Sequence, residues 1–327
     1  MWPLLTLTAA AALVCAPLWL GLSVGLDVMR RQRLLSVTRG TLFFILYLQF
    51  QLLGVIAGGA LFIAKCVLFP SVAKWHHWNR QLQNAWTKIL FKSVKWVFSI
   101  RFDAEIDAKT TTGPFILFVR HVSIVDTLFP ACFVSIPWQV PLQYVLKSGL
   151  LWDPCLDLIG QRLPNCFVYR GGKHSTAESE RLASLALNLP ESEGLIIFPE
   201  GTRATPKKRQ EMLSRATETN NAEMLHQLAL FKHVVPPRRP GVNALLANST
   251  CDVVFLAHTG FEGIATLNDI WNGSLVGRHV TVKIWRTNRT QWPAHSDGQW
   301  AECIEQWKKV DAFIESKQRP AEPGEFE

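Results

Sequence analysis

Charge is scarce in this sequence, and the scarcity is local. Charged residues make up 18% of the 327 and hydrophobic ones 48%, which is lean in charge for a purely soluble protein. No charged side chain occurs from Trp2 to Leu26, nor from Thr41 to Ala64. Paired cysteines are lacking too. The seven, Cys15, Cys66, Cys132, Cys155, Cys166, Cys251 and Cys303, are odd in number and none has C-x-x-C spacing. That excludes a disulfide framework and a zinc site, leaving reduced, mostly buried thiols in a cytosol-facing domain as the simpler reading. The net charge of +8 comes with no zinc-finger, RNP-type or helix-turn-helix signature, so it points to anionic lipid or phosphorylated ligands and not to nucleic acid. No G-x-S-x-G elbow is present, so no serine nucleophile is signalled. Neither a metal-ligand cluster nor an internal repeat is visible.

What is present begins with two uncharged stretches, each long enough to cross a hydrocarbon core as a helix of about 20 residues. The first lacks the basic n-region of a cleaved signal peptide, and buried soluble helices are seldom charge-free for so long. Residues 1–70 therefore read as a membrane-anchoring hydrophobic hairpin. Thirteen tryptophans fit a bilayer interface. Arg30, Arg31, Arg33 and Arg39 lie between the stretches; Lys65, Lys74, Arg80, Lys88, Lys92, Lys95 and Arg101 follow the second. The positive-inside rule nearly ties on these counts, and a shallow hairpin confined to one leaflet satisfies both clusters. In residues 71–102, Trp75, Trp78, Leu82, Trp86, Ile89 and Val97 recur at helical steps, with Ser93 or Val94 between. This predicts an amphipathic interfacial helix, packing on a soluble core being the alternative.

Residues 103–318 alternate as an α/β domain does. Strands are expected at Pro114–Val119, Gln139–Leu146, Cys166–Tyr169, Gly194–Phe198, Asp252–Ala257 and Val280–Trp285. Helices are expected at Ser175–Leu189, Lys207–Phe231 and Gln299–Ser316. Residues 319–327 read as a frayed tail.

Chemistry concentrates where two of these strands end. After Val119 come His121 and, five residues on, Asp126. An aspartate on one imidazole nitrogen fixes the tautomer and supports the imidazolium, freeing the other nitrogen to take a hydroxyl proton. Among nine histidines only His121 has an aspartate at that spacing. After Ile197 comes Phe198-Pro199-Glu200-Gly201-Thr202-Arg203, where glycine permits an unusual turn, threonine offers a hydroxyl and arginine a planar fork suited to phosphate.

Together these elements resemble the 1-acylglycerol-3-phosphate (lysophosphatidate) acyltransferase family over roughly residues 80–285. Its H-x-x-x-x-D box matches His121 and Asp126, and its F-P-E-G-T-R box matches Phe198–Arg203. Its K-x-x-L-x-x-x-P segment matches Lys147, Leu150 and Pro154, and a strand ending in arginine matches Phe167-Val168-Tyr169-Arg170. The resemblance implies a glycerolphosphate-acyltransferase-like α/β sheet flanked by helices. It further implies acyl transfer from acyl-CoA or acyl-carrier protein as co-substrate, with no cofactor, to a lysophospholipid at the membrane, the catalytic domain facing the cytoplasm. His121 would be the base and Asp126 its support. Arg203 and Arg170 would bind phosphate, Lys147 more weakly, and Glu200 would hold the loop of Gly201 and Thr202. The chain departs from the pattern at Asp157 and Pro164, where relatives often have glycines. Its hydrophobic-Pro box is not obvious, Val234–Gly241 being a substitute, and the charged segment Pro206–Lys232 is extra. These differences leave other acceptors open: a headgroup-bearing lysophospholipid or a lyso-aminolipid. A phospholipid-dependent transacylase, a non-catalytic lipid-binding protein and a thioester hydrolase also stay open. Residue by residue, Arg170 and Lys147 have bland readings as a strand-end arginine and an ion-pair partner. Arg238 and Arg239 suit ligand phosphate or headgroups, His258 a satisfied core histidine, and His76 and His77 interfacial polar positions.

Overall fold

The structure, a computed structural model, describes residues 2–32, 34–107, 112–168, 175–264, 266 and 268–318. Seven strands run among them: β1 (Arg101–Ile106), β2 (Phe115–Val119), β3 (Leu142–Lys147), β4 (Cys166–Val168), β5 (Gly194–Ile197), β6 (Asp252–Thr259) and β7 (His279–Thr287). All six expected strands are there; Tyr169 and the tail 319–327 lie outside the described residues. β1 was not expected. It is exposed along most of its length, so its sequence carries no buried face to read.

The chain forms two compact units, Met1–Arg101 with Thr127–His174 and Thr266–His279, and Phe102–Asp126 with Ser175–Ala265 and Val280–Glu327. In the first, the uncharged Trp2–Leu26 stretch is not the single span its composition suggests. It forms α1 (Trp2–Val14) and α2 (Ala16–Met29), bent by 65° at the break. Pro17, in the first turn of α2, has no N–H with which to continue the ladder of α1. α3 (Ser36–Leu68) holds the second stretch and is long and apolar enough to cross a membrane. Its start is capped from α2: Asp27 accepts from the Val37 and Thr38 N–H groups at 3.1 and 2.8 Å, satisfying donors a helix start leaves free.

α4 (Val72–Val97) is capped by Ser71, whose Oγ accepts from Lys74 N–H at 3.3 Å. Its buried face is Trp75, Asn79, Thr87, Leu90, Val94 and Val97, rotated from the expected stripe, and Ile89 is 47% exposed. The reason is tertiary. α4 packs on α3 and on the wide helical turn Pro130–Ser135, where Phe91 meets Phe133 edge-on at 5.8 Å. β3 and β4 pair in parallel, Val145 opposite Cys166, with α5 (Pro154–Gly160) between them in sequence.

In the second unit the strand order is β1-β7-β6-β2-β5. β2 runs parallel to β5, Phe118 opposite Ile197, and to β6, Val119 opposite Leu256. β2 and β5 are buried throughout, as uninterrupted apolar runs in a parallel sheet require. Helices α6 (Ser175–Leu187), α7 (Pro206–Glu218), α8 (Ala222–Leu230), α9 (Arg239–Ala247) and α10 (Ser296–Gln318) complete the unit. The single helix expected over Lys207–Phe231 is two, because Asn220 takes φ +48° and Asn221 caps α8 through Met224 N–H at 2.9 Å. α10 packs on β6 and buries Cys303, Trp307, Val310 and Ile314 completely.

Candidate active site

Three parallel strands release their C-terminal ends on one edge of the second unit's sheet, the edge where chemistry is expected in open α/β folds. β2 leads into Arg120 and His121, and β5 into the 198–203 loop. Their register places the two exits side by side. The His121 N–H donates to Glu200 Oε2 at 2.7 Å, and its carbonyl accepts from Ala204 N–H at 2.7 Å. Its ring centroid lies 4.6 Å from that of Phe198. The histidine is thus held at backbone and ring by one loop.

Asp126 lies in the turn Val125–Leu128 and is fully buried. Its Oδ1 is 2.9 Å from His121 Nδ1. Its Oδ2 accepts from the Val122 and Ser123 N–H groups, each at 2.7 Å. Burial pushes this carboxyl up, but His121 and His258 outweigh it and hold Asp126 well below the usual carboxylate range. An ionised carboxylate at Nδ1 keeps the imidazole proton there and leaves Nε2 as an acceptor. The His121 side chain is 18% exposed, so substrate can reach it.

The third strand end supplies His258, fully buried in β6. It is a core histidine, as the sequence suggests, and its Nε2 lies 3.1 Å from the Arg120 carbonyl. It also lies 3.5 Å from Asp126 Oδ2, a contact that sequence does not announce. Arg120 is likewise new. At 1% exposure, its guanidinium donates to the His258 carbonyl, to the His233 carbonyl at 3.1 Å and to Glu262 Oε1 at 2.6 Å. Burial pushes Glu262 up, but Arg120 pulls it down to about 2. The signal that would have found Arg120 is burial at the end of a central strand.

Glu200 is 1% exposed, and its Oε1 accepts from the Val235 N–H at 3.3 Å. The carboxyl therefore ties the loop to two other segments. Burial pushes it up to about 8, against the pull of Arg120 and the two N–H bonds. A raised value favours the protonated form in the fold. Its contribution is then complete below the ordinary value of 4.5 and is lost as pH climbs through about 8. Glu200→Gln is neutral at every pH, so its stability curve should be flatter than wild type across that window. Its amide would face one N–H with another, at a cost of about 1–3 kcal/mol. Urea denaturation in micelles from pH 4 to 9 measures both, and parallel curves for the two proteins would refute the titration.

Gly201 has φ +62°, and a Cβ there would lie 2.6 Å from Arg238 Cδ and Nε. Glycine is needed for the turn and for the arginine that lies across it. Arg238 is exposed, and its N–H donates to the Pro199 carbonyl at 2.8 Å. Arg239 by contrast is engaged with Asp297 and lies 5.7 Å over Trp300. The segment before them is pinned by Asp311, which accepts from His233 and Val234 N–H groups at 2.7 and 3.0 Å. Thr202 and Arg203 follow Gly201, both half-buried. Lys147 closes β3 in the first unit with its side chain exposed; Arg170 lies outside the described residues.

The arrangement can draw a proton from a hydroxyl next to a loop that carries cationic forks. Residues 101–237 match the protein family described as Acyltransferase. A solved structure, the 1-acyl-sn-glycerophosphate (LPA) acyltransferase PlsC from Thermotoga maritima, is similar with 13% sequence identity and a TM-score of 0.47, over 83% of this chain and 98% of that one. The His121–Asp126 pair and the 198–203 loop both lie inside the segment that matches the acyltransferase family.

Proposed function

We propose that this enzyme transfers a fatty acyl group from acyl-CoA or acyl-carrier protein to the free hydroxyl of 1-acylglycerol-3-phosphate, giving phosphatidate. The observation that carries the reading is the 2.9 Å His121–Asp126 pair set beside the loop that ends in Arg203. His121 Nε2 takes the proton of the acceptor hydroxyl as its oxygen attacks the thioester carbonyl. The imidazolium so formed is supported at Nδ1 by Asp126. Collapse of the tetrahedral intermediate expels the thiolate, which recovers a proton from His121. No enzyme nucleophile takes part.

Phosphate on the acceptor is held by Arg203 and, in the expectation from sequence, by Arg170 and Lys147. Arg238 joins them, because its guanidinium lies across Gly201 and makes no ion pair among the described residues. Gly201 and Thr202 shape this anion-facing turn, and Glu200 anchors it to His121. The apolar N-terminal helices attach the enzyme to a membrane, which presents the acceptor, and the catalytic domain faces the cytoplasm, which holds soluble thioesters.

Purified enzyme in mixed micelles with oleoyl-CoA and lysophosphatidate tests the reading, with phosphatidate as product. Transfer only to headgroup-bearing lysophospholipids or lyso-aminolipids would move the acceptor assignment. Free fatty acid formed without acceptor would make the enzyme a hydrolase.

A further inference from the structure

His258 stands beneath the site with no part in the proton transfer described above. It is fully buried near the end of β6, the strand that runs beside β2. Its Nε2 lies 3.1 Å from the Arg120 carbonyl. A carbonyl oxygen can only accept, so this nitrogen carries a hydrogen. Arg120 returns the contact, its guanidinium donating to the His258 carbonyl. Each side chain therefore holds the main chain of the other residue. The clasp sits beside the ladder bond from the Arg120 N–H to the Leu256 carbonyl at 3.1 Å, at the exits of β2 and β6.

The same Nε2 lies 3.5 Å from Asp126 Oδ2. That oxygen already accepts from the Val122 and Ser123 N–H groups at 2.7 Å, but both belong to the segment that carries Asp126 itself. They set the carboxylate relative to its own turn. The contact from His258 refers it to a neighbouring strand, through an N–H shared between two acceptors. The arginine end of the clasp is fixed in turn. Arg120 donates to Glu262 Oε1 at 2.6 Å, and Glu262 accepts from Thr259 Oγ1 at 3.0 Å and the Gly260 N–H at 2.7 Å. Filling the core would ask only for an apolar side chain of similar volume, which would serve neither the Arg120 carbonyl nor Asp126.

We propose that His258 is a positioning residue for acyl transfer: its Nε2–H, shared between the Arg120 carbonyl and Asp126 Oδ2, holds the carboxylate so that Oδ1 meets His121 Nδ1 at 2.9 Å. Being fully buried, His258 meets no substrate and moves no proton. It acts through Asp126, whose second oxygen it steadies, and through Arg120, the residue just before His121. A displacement of about 1 Å at such a pair costs on the order of 10²-fold in rate. The effect therefore falls on kcat and leaves acceptor binding alone.

This inference rests on the proposed base role of His121, and two amides at position 258 test it in the full-length enzyme. Glutamine sets its side-chain N–H where Nε2 stands, whereas asparagine is one carbon shorter and reaches only the place of Nδ1. In mixed micelles with oleoyl-CoA and lysophosphatidate, or the acceptor that proves active, His258→Asn should lower kcat by about 10–100-fold. The KM for acceptor should stay unchanged, and His258→Gln should recover most of the loss. Added to Asp126→Asn, His258→Asn should cost little more, because both act through one carboxylate. Urea midpoints establish that each variant is folded. A folded His258→Asn with wild-type kcat, or losses that multiply in the double variant, would overturn the role. Should His258→Asn fail to fold, His258→Gln decides, and a folded glutamine variant as slow as Asp126→Asn sinks the proposal. Undiminished rate in His121→Ala would instead overturn the base reading beneath it.

Discussion

His121→Ala should lower kcat for acyl transfer by about 10²–10⁴-fold, the usual contribution of a positioned base. The variant should keep its fold, because the anchors of this region do not pass through the ring. Asp126 keeps its two N–H donors at 2.7 Å, and Glu200 still accepts from the backbone N–H of residue 121. Loss of the ring does remove the hydrogen-bond partner of Asp126 Oδ1, so a modest fall in stability accompanies the loss of rate. The KM for acceptor should change little, because the proposed phosphate contacts lie on the loop and not on the imidazole. Stopped assays over several acceptor concentrations, with urea midpoints on the same preparations, separate these effects. A variant that is folded and retains a tenth of wild-type kcat would remove His121 from the base role.

Asp126→Asn should be almost as damaging to rate, again with only a modest cost to the fold. Asparagine can direct its carbonyl oxygen to the Val122 and Ser123 N–H groups, replacing Oδ2. Its NH₂ then takes the Oδ1 place, 2.9 Å from His121 Nδ1. An NH₂ there must donate, so Nδ1 becomes the acceptor and the proton moves to Nε2. The imidazole is now in the tautomer that cannot receive a hydroxyl proton, and about 10²–10⁴-fold in kcat should be lost. Stability gives an independent reading. Asp126 titrates well below the usual carboxylate range in the fold, so its charge stabilises the protein above that range and the benefit drains away as pH falls. The asparagine variant should therefore lose less stability than wild type on acidification, while being somewhat less stable at neutral pH. Equal acid sensitivity in both proteins would mean that the carboxylate is not the charged anchor described here.

Much of this site was legible in the residues. A lone His-x-x-x-x-Asp spacing is weak, but its place after an apolar run, and a second apolar run ending in Phe-Pro-Glu-Gly-Thr-Arg, locate both loops at strand ends. The strands themselves were legible because β2, β5 and β6 are buried on both faces and read as continuous Val, Ile, Leu and Phe. β1 was not, since an exposed strand leaves no apolar pattern. The break at residues 219–221 was overlooked because Thr-Asn-Asn sits within a helical pattern that resumes in the same register of polarity.

Sequence by itself determined which side chains are the candidates for the chemistry, since proton transfer and anion binding demand particular functional groups and those are written directly in the chain. It also determined that two stretches of the N-terminal region cannot rest in water uncovered. Tertiary structure decided how those groups are set. The parallel register of β2 with β5 and β6 brings Glu200 and His258 onto the His121–Asp126 pair from positions 79 and 132 residues further along the chain than His121 and Asp126. Such pairings depend on strand order, which no local pattern encodes. It decided too which face of α4 is buried, because a helix turns toward whatever packs against it, and here α3 and the 130–135 turn bury Trp75, Leu90, Val94 and Val97 and leave Ile89 exposed. The close packing of α3 within its own unit follows from small residues at Gly40, Gly54 and Gly58, whose meaning appears only when Trp271, Cys155 and Leu158 arrive to press on them.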